Sequence, residues 1–119
     1  MATTRLLIVE DSELTAAALR VLFEESGYDV TLAQSVTDAI QACTRETPEM
    51  MLLDLTLPDG DGLSVLKHLA ALDAKLPRTI ALTGHDDDDT RDRCIAAGCV
   101  DVLLKPVPIA QLLARVRSL

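Results

Sequence analysis

Short aliphatic runs alternate with amphipathic segments of helical length five times along this chain, and no other feature constrains its fold as strongly. The runs interpreted as strands cover residues 5–9, 29–33, 50–54, 79–83 and 100–104. Each run has the length of a buried strand, and a helix-like repeat of apolar residues follows it. Such alternation predicts parallel strands joined by right-handed crossovers, with helices on both faces of the sheet. We therefore predict an α/β fold with a doubly wound, five-stranded parallel sheet and five helices.

The segments between the predicted strands carry helix start and stop signals. Ser12 and Ser35 are candidate N-caps, and Gly27 supplies a stop. Gly98 ends the helix that follows the acidic run 86–89, which is itself predicted to be a helix cap and a solvated segment. The other predicted helices are 12–26, 36–45, 63–72 and 109–116, with 55–61 as a loop. Two apolar stripes are predicted to face the core: Leu14, Ala18, Leu22 and Phe23 on the first helix, and Ile109, Leu112, Leu113 and Val116 on the last.

The length and composition of the chain favour one aliphatic core. At 119 residues the chain is long enough for one core but short for two, so residues 1–119 are predicted to be a single domain. Hydrophobic residues make up 49% of the sequence and aromatic residues 2%, which suits a sheet covered by helices. Cys43, Cys94 and Cys99 have no metal-binding or redox spacing, and we predict that they are small buried hydrophobic residues.

The charge of the chain excludes several classes of partner. A net charge of -8 and a pI near 4.5 argue against direct binding to nucleic acid or to an anionic membrane, since both require positive charge. No apolar run approaches the roughly 20 residues of a membrane span, and residues 1–5 lack the order of a signal peptide. A cytoplasmic location is therefore expected.

Charged residues follow three of the predicted strands. Glu10 and Asp11 come directly after the first strand. Asp54 ends the third, and Lys105 follows the fifth. Because the carboxyl ends of parallel strands meet at one edge of a sheet, we expect these side chains to lie together, where such folds place their ligands. Crowded carboxylates repel one another, so the pattern predicts a divalent-cation site, and Mg²⁺ suits carboxylates, a backbone carbonyl, water and phosphate oxygens.

Each of these residues also has a plain structural interpretation, which the sequence leaves open. Glu10 and Asp11 can be negative charges at a helix N-terminus. Asp54 can form an Asx turn, and Thr83 can be an ordinary β-branched strand residue. Lys105 is harder to explain in this way, because an ammonium beside an acidic cluster can pair with a carboxylate and then with a phosphoryl oxygen.

Four motifs give the chain a specific resemblance to a known family. They are Ile8-Val9-Glu10-Asp11, the run LDLTLPDGDG at 53–62, ALTG at 81–84, and AG at 97–98 followed by DVLLKP at 101–106. Over essentially its whole length, the sequence resembles the response-regulator receiver domain of two-component signalling. The resemblance implies a flavodoxin-like fold with strand order 2-1-3-4-5 and a cis peptide bond between Lys105 and Pro106.

The same resemblance implies the chemistry of the site. Asp54 is expected to accept a phosphoryl group from a phosphohistidine on a sensor histidine kinase or a histidine phosphotransfer protein. Lys105 and Thr83 are expected to contact the phosphoryl oxygens, so that catalysis consists of positioning and charge neutralisation. The chain is then no enzyme in the usual sense, because it catalyses only its own phosphorylation and dephosphorylation. The implied Mg²⁺ ligands are Asp11, Asp54, the backbone carbonyl of Thr56 and, through water, Glu10.

Signal output is expected from the fourth helix, the fifth strand and the fifth helix, through a homodimer or a downstream effector. In receivers, the switch threonine moves toward the phosphoryl group while a ring three residues before the lysine turns inward. The residue at that place is Val102, so coupling is expected to depend on Thr83 and on repacking of aliphatic side chains. Thr56 and His85 occupy the variable positions that tune loss of the phosphoryl group to water in this family. His85 can also be a solvated loop residue, which is the more frequent case for a lone histidine.

Three other functions compete with this hypothesis. A flavin or nucleotide module would need glycines and hydroxyls after the first strand, where Glu10 and Asp11 stand instead. A dehalogenase-like phosphatase would need a second acid where Thr56 stands. A pseudo-receiver that serves only as a protein-interaction module remains the alternative, although the complete set of implied site residues disfavours it. We expect no output domain after Leu119, and therefore a single-domain regulator, a phosphorelay intermediate or a receiver cut from a hybrid kinase.

Overall fold

In the computed structural model, which describes residues 3–85 and 87–119, five strands within those ranges form one parallel sheet. The strands are β1 (Arg5–Val9), β2 (Asp29–Ala33), β3 (Met50–Asp54), β4 (Arg78–Thr83) and β5 (Asp101–Leu104). All neighbours pair in parallel, in the order β2-β1-β3-β4-β5. The predicted fold class and strand order are confirmed, although β4 begins one residue earlier and β5 one residue later than predicted.

Five α-helices in the described part of the chain cover this sheet. They are α1 (Glu13–Glu25), α2 (Val36–Arg45), α3 (Leu63–Ala71), α4 (Asp88–Ala97) and α5 (Ile109–Arg117). Where both ends were predicted, the bounds agree to within one residue. Among the residues that the structure describes, no helix has both the length and the apolar character needed to cross a membrane.

The segment after β3 differs from its prediction. We expected 55–61 to be a loop, but it contains a two-stranded antiparallel hairpin, Thr56–Leu57 paired with Gly60–Asp61. The prediction was wrong because strands of two residues are too short to show periodicity, while Pro58 and Gly60 carry a strong turn signal.

Side chains of the central strands alternate between the two faces of the sheet. On β1, Leu7 and Val9 join the cluster under α2, α3 and α4, whereas Leu6 and Ile8 join the cluster under α1 and α5. All four are 1% exposed. Complete burial of such a side chain contributes about 1.5–3 kcal/mol. The central strands are therefore fixed from both faces, so residues at their carboxyl ends stand on a rigid frame.

Capping side chains set where the helices begin. Ser12 Oγ accepts a hydrogen bond from the Thr15 N–H at 3.3 Å, and Ser35 Oγ accepts one from the Asp38 N–H at 3.1 Å. Asp87 caps α4 in the same way by accepting from the Thr90 N–H at 2.7 Å. These contacts confirm both serine caps. They also confirm the predicted capping role at Asp87, while Asp88 and Asp89 are exposed in the first turn of α4 and Asp86 lies outside the described residues.

Two predicted core stripes need correction. On α1 the buried residues are Ala16, Leu19 and Phe23, while Leu14 is 86% exposed and Ala18 is exposed. On α5, Leu112 and Val116 are buried and Leu113 is half-buried, but Ile109 is 54% exposed. Two overlapping stripes of α1 fit helical periodicity and share Phe23, which is buried as predicted; the sheet selects the stripe that also carries Ala16 and Leu19. Ile109 is the first residue of α5 and is not among the side chains packed against the cluster that holds Leu112 and Val116.

The three cysteines are buried and free, as predicted. Burial raises the pKa of Cys43 to about 11 and that of Cys99 to about 12. The pKa of Cys94 is raised as well, again mainly by burial. Thiols in this state carry little thiolate at neutral pH, so they act as small hydrophobic side chains.

Candidate functional site

The acidic residues gather at the carboxyl edge of the sheet because β1 and β3 are neighbours. The two strands pair in register up to Val9 and Leu53, so Glu10 and Asp54 emerge side by side. Lys105 follows β5, and its N–H donates to the Thr83 carbonyl at 2.7 Å, which ties it to the end of β4. The Lys105–Pro106 peptide bond is cis, as the resemblance implied.

The Lys105 ammonium lies between two buried acids. Its Nζ is 2.8 Å from Asp54 Oδ2 and 3.9 Å from Glu10 Oε1. Asp54 is 3% exposed and Glu10 is 7% exposed, whereas the lysine side chain is 36% exposed. Buried carboxylates are costly unless they are paired or bound to a cation. The structure thus brings together three of the charged residues singled out in the sequence.

The two oxygens of Asp54 have different partners. Oδ2 receives the lysine, while Oδ1 accepts a hydrogen bond from the Thr56 N–H at 3.0 Å. The second contact is an Asx turn, so the plain structural interpretation of Asp54 holds together with its place beside the cation. Asp54 is fixed at the end of β3 by both contacts.

Glu10 is held beside Asp54 by the start of α1. Its Oε2 accepts a hydrogen bond from the Ser12 N–H at 3.1 Å. Burial raises the pKa of Glu10, and the neighbouring Asp54 charge adds to that rise. The Ser12 N–H and the Lys105 ammonium oppose it in part. Burial and the neighbouring acid therefore favour the protonated form of Glu10, and a cation bound beside it would favour the ionised form.

The carboxylates can converge on one cation. Glu10, Asp11 and Asp54 each offer an oxygen, and these oxygens all lie within 4.8 Å of one another. Asp11 is exposed, so the cluster opens to solvent on its side. A set made only of oxygen donors suits a hard divalent ion such as Mg²⁺ better than zinc or copper.

The Thr56 carbonyl belongs to the residue whose N–H bonds Asp54, and it is turned out of its own hairpin. The Gly62 N–H donates to the Leu55 carbonyl at 2.9 Å, so Leu55 and Gly62 form a hydrogen-bonded pair. Hydrogen-bonded and non-hydrogen-bonded pairs alternate along an antiparallel ladder, so the next pair, Thr56 and Asp61, is non-hydrogen-bonded. The N–H and C=O groups of such a pair point away from the partner strand. The Thr56 N–H bonds Asp54 accordingly, and the Thr56 carbonyl is left outside the ladder.

Thr83 is the last residue of β4, and its hydroxyl oxygen accepts a backbone hydrogen bond. The residue is 4% exposed, and its Oγ1 accepts a hydrogen bond from the His85 N–H at 3.0 Å. Because the hydroxyl acts as an acceptor in this contact, its own proton remains available for donation to a ligand. His85 is exposed at the mouth of the site.

Val102 is fixed in the core beneath the site. It is 5% exposed and belongs to the cluster under α2, α3 and α4. Phe23 and Tyr28 are the only aromatic residues of the sequence, and they contact each other edge to face at 5.6 Å in the opposite layer. The chain therefore has no ring at the position three residues before the lysine.

Sequence reasoning missed the roles of Asp59 and Asp61. Asp59 accepts hydrogen bonds from the Val36 and Thr37 N–H groups at 2.8 and 3.1 Å, which caps a helix distant in sequence. Asp61 Oδ1 accepts from the Leu63 N–H at 2.9 Å. The only sequence signal was the place of Asp61 two residues before a predicted helix, because the partner of Asp59 depends on the tertiary fold.

Comparisons with known proteins agree with this geometry. The model of the response regulator receiver domain family matches residues 6–117. The chain is 31% identical over 115 residues to the virulence transcriptional regulatory protein PhoP of Salmonella typhimurium, covering 97% of the chain and 51% of that protein. It is 35% identical over 115 residues to the response regulator MprA of Mycobacterium leprae, covering 97% of the chain and 50% of that protein.

A solved structure gives the same result. The signal receiver domain of a putative LuxO repressor protein from Vibrio parahaemolyticus superposes with a TM-score of 0.90 at 32% identity, covering 98% of this chain and 89% of that one. The chain spans about half the length of the curated relatives it matches. On the family match, the relatives and the fold together, the chain belongs to the response-regulator receiver domain family.

Proposed function

We propose that residues 1–119 act as one receiver domain, which is switched when Asp54 takes a phosphoryl group from a phosphohistidine. The observation that supports this best is the Lys105 ammonium held 2.8 Å from Asp54 Oδ2. It places a point charge beside the carboxylate that would become the phosphoryl acceptor. Such a charge is needed where an anionic group must approach an acidic site.

The donor set fits Mg²⁺. Asp11 and Asp54 supply carboxylate oxygens, the Thr56 carbonyl stands outside its hairpin ladder, and Glu10 reaches the cluster from the end of β1. We propose direct ligation by Asp11, Asp54 and the Thr56 carbonyl, with Glu10 acting through water. When bound, Mg²⁺ supplies the positive charge that lets a phosphoryl group approach these acids.

The proposed step is an in-line transfer. An Asp54 carboxylate oxygen forms a bond to phosphorus while the bond from phosphorus to the donor imidazole nitrogen breaks. The imidazole leaves with that electron pair and takes up a proton. Lys105 keeps its charge throughout and contacts a phosphoryl oxygen, and the Thr83 hydroxyl donates a hydrogen bond to another.

The phosphohistidine donor is proposed to be a sensor histidine kinase or a histidine phosphotransfer protein. Receiver domains are generally not enzymes that turn over an external substrate, and we propose that this chain likewise catalyses only its own phosphorylation and dephosphorylation. Thr56 stands two residues beyond Asp54, where a dehalogenase-like phosphatase would need an acid. That placement supports a switch rather than a phosphatase.

Incubation with acetyl phosphate tests the proposal. Wild-type protein with Mg²⁺ should gain the mass of one phosphoryl group by intact mass spectrometry. Asp54→Asn should gain none, since an amide is a poor nucleophile, and wild type with EDTA should gain little. Asp61→Asn is the matched control, because it removes a charge from the same segment but leaves the proposed acceptor in place.

The opposite result would identify the alternative function. A wild-type protein that gains no mass with Mg²⁺, from acetyl phosphate or from a phosphorylated phosphotransfer protein, would be a pseudo-receiver that acts through protein interaction alone. A mass gain that persists in Asp54→Asn would place the acceptor elsewhere and would also contradict the proposal.

We propose α4, β5 and α5 as the output face. Three large apolar side chains of these elements are exposed: Ile95 by 54%, Leu104 by 45% and Ile109 by 54%. Exposed apolar groups on neighbouring elements suit a homodimer or a downstream effector. Light scattering measures the mass of the particle with and without beryllofluoride, a phosphoryl mimic, and so distinguishes a homodimer from a monomer that binds an effector. A monomer in both states would exclude the homodimer and leave the effector.

A further inference from the structure

The hairpin after Asp54 cannot set its own position. Its strands, Thr56–Leu57 and Gly60–Asp61, have two residues each and are joined by Pro58 and Asp59. Two-residue hairpin loops favour turns that need a positive φ at the first loop residue, whereas proline fixes φ at about −65°. An isolated hairpin of this kind is marginal at best. Contacts with the rest of the protein must therefore hold it.

One such contact joins the tip of the hairpin to the start of α2. Asp59 Oδ1 accepts from the Val36 N–H at 2.8 Å. Its Oδ2 accepts from the Thr37 N–H at 3.1 Å and from the Thr37 hydroxyl at 3.0 Å. These are charge-assisted bonds at a helix N-terminus, where a negative charge is favoured. They lower the pKa of Asp59 below its ordinary value of 3.8, so the residue stays ionised at neutral pH.

The contact between Asp59 and α2 joins the segments that follow β2 and β3, on either side of the acids. Helix α2 begins just after β2, whose last residue, Ala33, accepts a hydrogen bond from the Glu10 N–H at 2.9 Å. The hairpin begins just after Asp54, whose side chain bonds the Thr56 N–H. Asp59 therefore connects the two halves of the site, the half after β1 and the half after β3, through the start of α2.

We infer that Asp59 is a positioning residue for the metal site: by attaching the hairpin tip to α2, it holds the Thr56 carbonyl where a Mg²⁺ ion needs it. The inference rests on the proposed function, since Thr56 matters in this way only if the ion binds. Asp61 acts separately at the base of the hairpin, where it accepts a hydrogen bond from the Leu63 N–H of α3 and pairs with Arg93 of α4.

The test compares Mg²⁺ affinity, measured by calorimetry, between wild type and two variants. Asp59→Ala removes the anchor and should weaken Mg²⁺ binding by about tenfold, the usual effect of losing a group that orients a metal ligand. Ser35→Ala is the matched control. It removes the local cap of the same helix, the bond from the Asp38 N–H, but leaves the hairpin attached. Its Mg²⁺ affinity should equal that of wild type even if its stability falls.

Two further readouts separate positioning from loss of stability. In metal-free protein, the hairpin amides should exchange hydrogen faster in Asp59→Ala than in wild type or in Ser35→Ala. Asp59→Asn keeps one acceptor oxygen for the Val36 N–H but none for Thr37, so it should restore part of the affinity.

The outcomes distinguish this inference from the function on which it rests. If wild type binds Mg²⁺ but Asp59→Ala binds it equally well, the positioning role is overturned and the receiver function stands. Equal losses in Asp59→Ala and Ser35→Ala would also overturn it, because the cause would be the stability of α2. If wild type fails to bind Mg²⁺ or to gain a phosphoryl group, the proposed function fails and this inference fails with it.

Discussion

Lys105 Nζ lies 2.8 Å from Asp54 Oδ2, at the boundary between a buried acidic cluster and solvent. One ammonium is shared by two buried acids, since Glu10 Oε1 is 3.9 Å away on the other side. The lysine therefore offsets part of the cost of burying these two acids. The same ammonium must repel an incoming Mg²⁺ and attract an incoming phosphoryl group, and these two effects can be separated by experiment.

Replacing Lys105 with methionine should change metal binding and phosphorylation in opposite directions. Loss of a positive charge a few ångströms from the acids should strengthen Mg²⁺ binding by about fivefold at low salt. Loss of the contact to the phosphoryl group should slow phosphorylation by acetyl phosphate by about 100-fold. Calorimetry gives the first quantity and time-resolved mass spectrometry gives the second.

The control for this experiment is Lys67→Met. Lys67 is exposed on α3, so the variant has the same net charge as Lys105→Met but keeps the site intact. Neither quantity should change in it. If both variants shift Mg²⁺ affinity equally, the effect is one of net charge and the local interpretation is wrong.

Gly62 should tolerate no side chain. A Cβ there would lie 2.2 Å from the backbone oxygen of Asp54 and 3.0 Å from Leu55 Cα. The end of β3 would have to move, at a cost of about 3 kcal/mol in the free energy of unfolding. Urea unfolding followed by circular dichroism measures this, since the chain has no tryptophan.

Gly84→Ala is the comparison for Gly62→Ala. No atom of residues 3–85 and 87–119 lies within 4 Å of the Cβ that would be added at Gly84. Its stability should therefore change by no more than about 0.5 kcal/mol. Equal stability of the two alanine variants would contradict the close approach of Gly62 to Asp54.

The sequence was sufficient to predict the features that depend on local pattern and on the geometry of parallel sheets. The strand order followed from the family resemblance, and the meeting of Glu10, Asp54 and Lys105 followed from strand ends that share an edge. The caps Ser12 and Ser35 were predictable because each bonds an amide three residues away. The partner of each cap lies three residues away, and the three charged residues lie at the carboxyl ends of strands in one sheet.

Features that depend on contacts across the fold could not be predicted. Asp59 bonds an amide 23 residues earlier, and nothing in its neighbours indicates that partner. Leu14 belongs to a stripe that fits helical periodicity as well as the buried one does, and only the placement of Ala16 and Leu19 on the sheet decides between them. Periodicity specifies that a helix has a core face but does not select among overlapping faces.

The cap of α4 should make stability depend on pH in a predictable direction. The Thr90 N–H, which donates to Asp87, lowers the pKa of that carboxyl below its ordinary value of 3.8. A carboxyl whose pKa is lower in the folded state contributes stability above the unfolded value, and this contribution disappears as the pH falls through the folded value. Asp87→Ala should therefore be less stable than wild type at pH 7, and the difference should vanish at pH values well below 3.8.

Asp89→Ala provides the comparison for this pH dependence. Asp89 lies in the first turn of α4 but not at the capping position, so its removal should cost less stability at neutral pH. The midpoint of thermal unfolding across the pH range is the measurement. A difference between Asp87→Ala and wild type that grows on acidification would contradict the capping role.

The buried thiols should resist modification in the folded protein. The pKa of Cys43 is raised to about 11 and that of Cys99 to about 12, so almost no thiolate is present at neutral pH. Iodoacetamide should therefore leave all three cysteines unlabelled in native protein and label all three in concentrated urea, as counted by intact mass. Rapid native labelling of one cysteine would show that its layer opens more readily than its burial implies.

Val102 should not accept the ring found in other receivers without a penalty. Its side chain is 5% exposed and packs in the cluster under α2, α3 and α4, where Ala81 is its neighbour on β4. Val102→Phe adds volume to a closed layer and should lower the free energy of unfolding by about 1–3 kcal/mol. Leu104→Phe makes a similar change on the same strand at a side chain that is 45% exposed, and it should cost no more than about 0.5 kcal/mol. Urea unfolding of both variants decides the matter. If Val102→Phe were as stable as wild type, the site would have room for an aromatic switch, and the aliphatic packing around Val102 could not be the reason that the ring is absent.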